Sequence, residues 1–260
     1  MRALDIAATG MQAQQTNVEV IANNIANMTT TGYQRQRVEF QDLLYQDLRR
    51  AGSNSSDAGT IVPSGTQIGL GVKTAAIYRI DQQGNLQQTN NSLDLAISGN
   101  GWFQVTLPSG QTAYTRDGTF GLSPNGEIVT ADGYVVQPGI QIPSNATNVT
   151  INASGQVQVS LSGQTAPQTV GQLQLAAFPN DAGLEAQGGN LFIQTAASGD
   201  PVTATPSSPG FGSVQQGFVE NSNVNVVSEI TDLITAQRAY EMNSQVITTS
   251  NQMMNTLTQL

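Results

Sequence analysis

Lys73 is the only lysine in the chain, and neither histidine nor cysteine accompanies it. General-base catalysis, thiol chemistry and thiolate or imidazole metal ligation therefore lose their usual side chains. A serine activated by lysine needs S-x-x-K spacing. Ser64 lies nine residues before Lys73 and misses it. The glycine-rich run SGTQIGLGV (64–72) is followed by no G-K-[ST], so it does not build a phosphate loop. In TRDGTFGLSPNGE (115–127) the acids lack the alternate spacing of a calcium cage, and the stretch predicts a hairpin turn instead. Trp102 beside Phe103 predicts core packing rather than a ligand platform. These residue types point to no catalytic group, cofactor, metal or small-molecule substrate.

The chain is rich in a different chemistry. Charged residues make up 10% of the 260 positions, against roughly 25% in ordinary soluble domains; Asn, Gln, Ser, Thr and Gly fill the gap. Residues 1–116 carry eight cations and eight acids, whereas 117–220 carry seven acids and no cation. A nucleic-acid partner would need a basic footprint, and the acidic middle argues against one. Acids such as Asp181 and Glu185 read as a solvated, mutually repelling surface. No apolar run reaches the roughly 18 residues of a membrane span, and MRALDIAATGMQAQQ has no apolar segment of a secretory leader.

Amides and apolar residues alternate with helical period at both ends. In residues 1–29 one heptad column is Leu4, Met11, Val18 and Ile25, and the other is Ala7, Gln14, Ile21 and Met28. Asn27 and Thr29–Gly32 end that helix, which Gly10 weakens. In residues 221–260 the column Val226, Leu233, Tyr240, Ile247 and Met254 recurs every seventh residue. Its partner column is Ile230, Gln237, Ser244, Asn251 and Thr258, and Val246, Met253, Leu257 and Leu260 add a second stripe. Asn225 fits an N-cap, with Glu229 and Asp232 near the positive end of the helix dipole.

Between the ends the period changes. Turn clusters such as SGNG (98–101), PNG (124–126), ADG (131–133) and ASG (153–155) recur at antiparallel-β spacing across 76–220. Trp102–Leu107, Ile128–Thr130, Tyr134–Gln137 and Val157–Leu161 are its alternating runs, and 198–212 reads as an exposed loop. Residues 30–75 predict an irregular, extended linker, in which Phe40, Leu43, Leu44, Tyr45 and Leu48 suggest a short helix or turn. The expected fold is mixed α and β: paired coiled-coil-like terminal helices, the linker, and a central antiparallel β domain.

Two helices alone leave much of two seams uncovered, at about 1.5–3 kcal/mol per large apolar side chain. Seven Asn or Gln residues between 12 and 27 can be satisfied side by side in an uncharged bundle, where charged faces would repel. Both observations favour ends that meet other copies of the chain over ends that close on each other.

Three motifs in order carry a family likeness over nearly the whole length. IANNIANMTTTGYQRQRVEF (21–40) resembles an A-N-N-x-A-N-x-x-T-x-G-[FY] signature, here Asn23, Asn24, Asn27, Thr31, Gly32 and Tyr33. SLDLAISGNGWFQV (92–105) resembles the matching β core, and SNVNVVSEITDLITAQRAYEMN (222–243) the C-terminal signature, with Gln237, Arg238, Tyr240 and Glu241. The chain is identified as a member of the axial proteins of the bacterial flagellar rod and hook. TIVPSGTQIGLGVKT (60–74), with Pro63, Gly65, Gln67, Gly69 and Gly71, is similar to a stretch of the distal rod members. Ile61-Val62, where leucine is usual before the proline, and Trp102, where phenylalanine is common, depart from the pattern.

The resemblance implies a non-enzymatic subunit that polymerises into a rigid helical tube, the drive shaft of the basal body. The terminal helices would form inner tubes around an export channel, with Leu4, Met11, Val18, Ile21, Ile25 and Met28 on one and Val226, Ile230, Leu233, Tyr240, Ile247 and Met254 on the other as interface residues. Pro63, Gly65, Gln67, Gly69 and Gly71 would stiffen the shaft. The implied partners are further copies, proximal rod proteins below, hook protein above, ring proteins acting as a bushing, and the export apparatus. The resemblance also implies a periplasm-spanning location, reached without a cleaved signal peptide. A proximal rod or hook-type role is the alternative within the family, and a secreted β-rich adhesin the alternative outside it.

Overall fold

The computed structural model describes residues 2–50, 52, 64–163 and 166–258. Ile61, Val62, Pro63, Leu260 and the side chain of Leu257 lie outside the described residues. The chain divides into two units: 1–26, 36–78 and 225–260 form one, and 27–35 with 79–224 form the other.

The first unit holds two long helices, α1 (Arg2–Ala26) and α2 (Val226–Thr258), packed together. Asn225 caps α2 as its position predicts: its Oδ1 accepts from the Val227 and Ser228 N–H groups at 3.1 and 3.3 Å. Four strands complete the unit, namely β1 (Gln36–Asp42), β2 (Tyr45–Arg49), β3 (Thr66–Gly69) and β4 (Val72–Arg79). β1 pairs with β4 and β2 with β3. The helix or turn expected from Phe40 to Leu48 is therefore two strands. The reason is legible in period two: Val38 is buried while its neighbours Arg37 and Glu39 face solvent. That pair meets Tyr78 of β4, whose hydroxyl donates to Glu39 at 2.9 Å and whose ring lies under the Arg37 guanidinium.

The second unit is antiparallel β. Its strands begin with β5 (Leu86–Gln88), β6 (Leu95–Ser98), β7 (Trp102–Thr106), β8 (Thr112–Thr115), β9 (Gly121–Leu122), β10 (Ile128–Val129) and β11 (Val135–Val136). Next come β12 (Ala146–Ile151), β13 (Gln156–Leu161), β14 (Gln168–Gln172) and β15 (Leu175–Ala177). The last are β16 (Glu185–Gly188), β17 (Leu191–Ile193), β18 (Val202–Ala204), β19 (Ser213–Gln216) and β20 (Phe218–Glu220). The main sheet runs β16-β17-β8-β7-β11-β10-β9, with β15 bridging β7 and β18. The loop expected over 198–212 thus contains a paired strand, β18.

β7 is the pivot, buried on both faces. Phe103 and Val105 enter the larger core with Leu95, Ile97, Ile128, Val157 and Leu175. Trp102 points the other way, into a cluster with Tyr114, Phe178 and Phe192. Edge-to-face pairs set both sides, Phe103 on Phe120 and Trp102 on Phe192, each at 5.1 Å between ring centres. Trp102 is core, as its neighbour Phe103 suggested.

Candidate assembly surfaces and the signature segments

Along α1 the predicted columns are largely covered. Leu4, Met11, Val18 and Ile25 are half-buried and Ala7 and Ile21 buried, whereas Met28 lies beyond the helix and is exposed. A third line, Ala13 and Val20, is also buried and has no counterpart in the heptad reading. α1 is covered from two sides, by α2 and by β1, and a two-column seam foresees only one of them.

α2 differs. Val226, Leu233, Ile247 and Met254 are half-buried as a column should be, but Tyr240, in the same register, is 43% exposed. The line of α2 that is buried lies one residue before the partner column. Glu229 and Ala236 are buried, while Ile230 stands 44% exposed and Gln237, Asn251 and Thr258 face solvent. Small and polar residues occupy the line nearest α1, and the apolar column with Ile230 lies beside it. Ile234, Met242, Val246 and Met253 are exposed as well. An apolar groove of about 360 Å³ opens between the start of α1 and α2, with Ala3, Met242, Val246 and Met253 along it.

In the linker, β2 is exposed along its whole length, and Leu44 just before it is 81% exposed. Of the residues expected to stiffen it, Gly65 and Gln67 face solvent and Gly69 and Gly71 are half-buried.

The signature residues act inside each unit. Asn24, buried in α1, accepts from the Gln36 N–H at 2.9 Å and donates to the Gln36 carbonyl at 2.8 Å and to Glu229 of α2 at 3.1 Å. One amide thereby ties α1 to both β1 and α2. Gly32 has φ +66 and donates its N–H to the Glu220 carbonyl at 2.8 Å. A Cβ there would fall 2.7 Å from the Asp117 nitrogen, so no side chain fits. Asn190 donates to the neighbouring Thr31 carbonyl at 3.1 Å. Asn23, Gln237, Arg238 and Glu241 face solvent, and Asn27, Thr31 and Tyr33 are half-buried.

Sequence reasoning missed the polar clasp beside Gly32. Asn223 accepts from the Arg35 N–H at 2.6 Å and donates to the Ile80 and Gln82 carbonyls at 3.1 and 2.8 Å. Both chain crossings, 27–35 and 221–224, are pinned there within one unit. Arg116 and Glu220 are buried together, 3.7 Å apart. Arg116 donates to the Gly99 carbonyl at 2.9 Å, and Glu220 accepts from the Gly84 N–H at 2.9 Å. Burial pushes the Glu220 carboxyl above the usual carboxylate range against the pull of Arg116, and pushes Arg79 down. Asp181, expected on the outer surface, accepts instead from the Trp102 indole at 2.8 Å, and burial raises its carboxyl too. Glu185 does face solvent. Isolated charges in a charge-poor sequence carry no periodic signal, so pairing across 79 or 104 positions could not be read from it.

Comparison with known proteins decides what these surfaces belong to. The model of flagella basal body rod proteins matches residues 4–34, that of the flagellar hook protein FlgE/F/G D1 domain matches 96–159, and that of the flagellar basal body rod FlgEFG protein C-terminal region matches 215–260. A flagellar basal-body rod protein FlgG of Caulobacter vibrioides is 62% identical over 260 residues, covering all of this chain and 99% of that one. The chain belongs to the FlgG family of flagellar basal-body rod proteins. FlgG relatives from Borreliella burgdorferi, 46% identical over 98% of this chain and 96% of theirs, and from Bacillus subtilis, 38% identical over all of this chain and 99% of theirs, agree. The chain is accordingly a structural subunit of the flagellar rod, located in the basal body, as the three motifs implied. The first matched segment, 4–34, spans α1 and the Asn27–Tyr33 crossing, and the last, 215–260, spans the Asn223 clasp and α2. The FlgG likeness therefore includes the joints as well as the helices.

Proposed function

We propose that this FlgG-family chain is a distal rod subunit whose terminal helices bind other copies of itself, building a rigid helical tube that transmits torque and encloses the export channel. The observation that carries the reading is the uncovered face of α2. Ile230, Ile234, Tyr240, Met242, Val246 and Met253 remain exposed after α1 has packed against the helix. Covering what is still exposed is worth about 1 kcal/mol for each such side chain, and a helical polymer supplies neighbours without limit. The half-buried members Leu4, Met11, Val18, Ile25, Leu233, Ile247 and Met254 border the same contacts.

Within this reading the linker residues Pro63, Gly65, Gln67, Gly69 and Gly71 stiffen the shaft, and its exposed strand β2 reaches a neighbour. Proximal rod proteins lie below and hook protein above; ring proteins surround the shaft as it crosses the periplasm. Export proceeds through the flagellar channel without a cleaved signal peptide. The domain limits follow from the same division of labour: inner core from 1–29 and 221–260, linker from 30–75, outer β domain from 76–220.

The test replaces the outward residues Ile230 and Tyr240 with aspartate. Electron microscopy of the purified chain is expected to show straight tubes for the natural sequence and none for Ile230→Asp or Tyr240→Asp, with near-UV circular dichroism of the β unit unchanged. Tubes in both variants, or loss of the β-unit signal, would remove the outer face of α2 as the assembly surface.

A further inference from the structure

β12 is the outer strand of a three-stranded sheet, β12-β13-β14. Its sequence, ATNVTI, holds the β-branched Thr147, Val149, Thr150 and Ile151 and no charge, proline or glycine. At a sheet edge such a segment is a template for pairing with another chain. Other outer strands of the β unit are defended in familiar ways. β9 and β18 are two and three residues long. β16 carries Glu185 and ends in Gly188, and β14 contains Gly171 and a register shift opposite Val157 and Gln158. β12 has a register shift at Thr147, but from Asn148 to Ile151 its ladder is regular.

Successive residues of an antiparallel strand turn their backbone groups to alternate sides. The Asn152 N–H donates to the Gln156 carbonyl at 3.2 Å, which sets the phase: Thr150 faces β13, and Val149 and Ile151 face away. Gln216, the last residue of β19, meets those outward groups. Its Oε1 accepts from the Ile151 N–H at 3.0 Å, and its Nε2 donates to the Val149 carbonyl at 2.9 Å and the Ser92 carbonyl at 2.7 Å. One side-chain amide thus supplies the donor and the acceptor that a residue of a neighbouring strand would offer. The Val214 N–H donates to the Ala153 carbonyl at 3.1 Å, so β19 meets the chain just past β12 and Gln216 carries the contact along the edge. Beside Val149 a cleft of about 750 Å³, bordered by Ser92, Leu122 and Asn148, leaves room for a further strand.

We propose that Gln216 is a side-chain plug on a latent pairing edge, and that it keeps β12 from pairing with β12 of a second copy. An uncharged edge meets its own copy about a two-fold axis without repulsion, so self-pairing is the reaction to be blocked. The plug stands on the β unit alone. That it leaves the helices as the surface through which copies meet rests on the reading proposed above. Gln216 would then determine which surface a second copy uses, by occupying the wrong one.

Gln216→Met keeps the length of the side chain and removes all three bonds. It is made in the full-length chain together with Tyr240→Asp, which silences the outer face of α2 under the reading above. Trp102 emission and circular dichroism report folding, hydrogen exchange at the Ile151 N–H reports the plug, and sedimentation velocity reports pairing. Exchange at Ile151 is expected to accelerate about tenfold, the worth of one hydrogen bond. Sedimentation is expected to shift from monomer to dimer as concentration rises. Adding Thr150→Lys at that exposed position sets like charges across the paired edges and is expected to restore the monomer while exchange stays fast. Gln216→Asn, too short to span both groups, takes the place of Gln216→Met if the latter does not fold. Unchanged exchange at Ile151 overturns the plug. Fast exchange without a dimer, or a dimer that survives Thr150→Lys, overturns the guarded pairing. Tubes from the Tyr240→Asp chain itself would count against the rod reading, while the difference made by Thr150→Lys still decides the edge.

Discussion

Leu95, Phe103, Val105 and Leu175 in the β unit have no exposed surface, whereas in α2 the comparably large Ile230, Tyr240 and Met253 keep two-fifths or more of theirs. Both regions are built from the same charge-poor, amide-rich composition. In the β unit the residues of the main apolar cluster meet partners from other strands of the same chain, and turns close the unit upon itself. In α2 the side facing α1 is lined with Glu229, Ala236 and other small or polar residues, and much of its apolar surface points away. Burial therefore marks what the chain completes alone, and under the proposed reading the exposed apolar surface of α2 is what a second copy completes.

The sharpest way to break this comparison is to damage the closed region and leave the open one intact. Phe103→Ala removes a fully buried ring that packs edge-to-face on Phe120. We expect a loss of about 3–5 kcal/mol, read from the urea midpoint of Trp102 fluorescence. Since Trp102 is the chain's one tryptophan and lies in the β unit, the signal reports that unit alone. Tyr240→Ala on the outer face of α2 should leave the midpoint unchanged. Equal losses in the two variants would show that α2 is packed as part of a single core.

How far these regions could be read in advance follows from the same contrast. Period two located β7, β10, β11 and β13, and period seven located α1 and α2, because apolar residues recur along each whether one side is buried, as in the strands, or mostly half-covered, as in α2. The column of α2 nearest α1 escaped, since Ala236 and Glu229 carry no apolar signal; the neighbouring column, with Ile230, drew the attention instead. The strands β1 and β2 escaped because Phe40, Leu43, Leu44 and Leu48 crowd together and obscure the alternation around Val38. Asn24 and Gly32 were found only as letters of a motif. Their work depends on Gln36, Glu229 and Glu220, and no local pattern announces contacts over such separations.

A smaller effect sharpens the picture of the closed region. Burial holds the Glu220 carboxyl above its ordinary range, so the folded chain binds that proton more tightly than the unfolded chain. The stability this adds is fully present below the unfolded value of about 4.3 and is lost as pH rises through the raised folded value. Glu220→Gln removes the titration. Asp181, raised for the same reason, is present in both chains and cancels in the difference. Measured against the Gln variant, the midpoint of the natural chain is expected to decline as pH rises above about 4, the window set by the unfolded value. Parallel pH profiles would assign the buried charge of Glu220 no part in stability.

The smallest effect lies at the boundary between the two regions. Asn225 begins α2 one residue after the clasped crossing 221–224, and its side chain satisfies the N–H groups of Val227 and Ser228. Asn225→Ala leaves those donors to water and should cost about 1 kcal/mol of helix stability. Where that loss appears is informative. If α2 and the β unit fold as one, the Trp102 midpoint shifts with it. If the helix pair opens independently, hydrogen exchange at the first turn of α2 accelerates while the Trp102 midpoint stays in place. The second result is expected, because the bonds of Asn223, two residues upstream, to Arg35, Ile80 and Gln82 lie wholly within the β unit and do not involve the helix. A chain whose helices open while its crossings remain fixed can present α1 and α2 to arriving copies without losing its β fold.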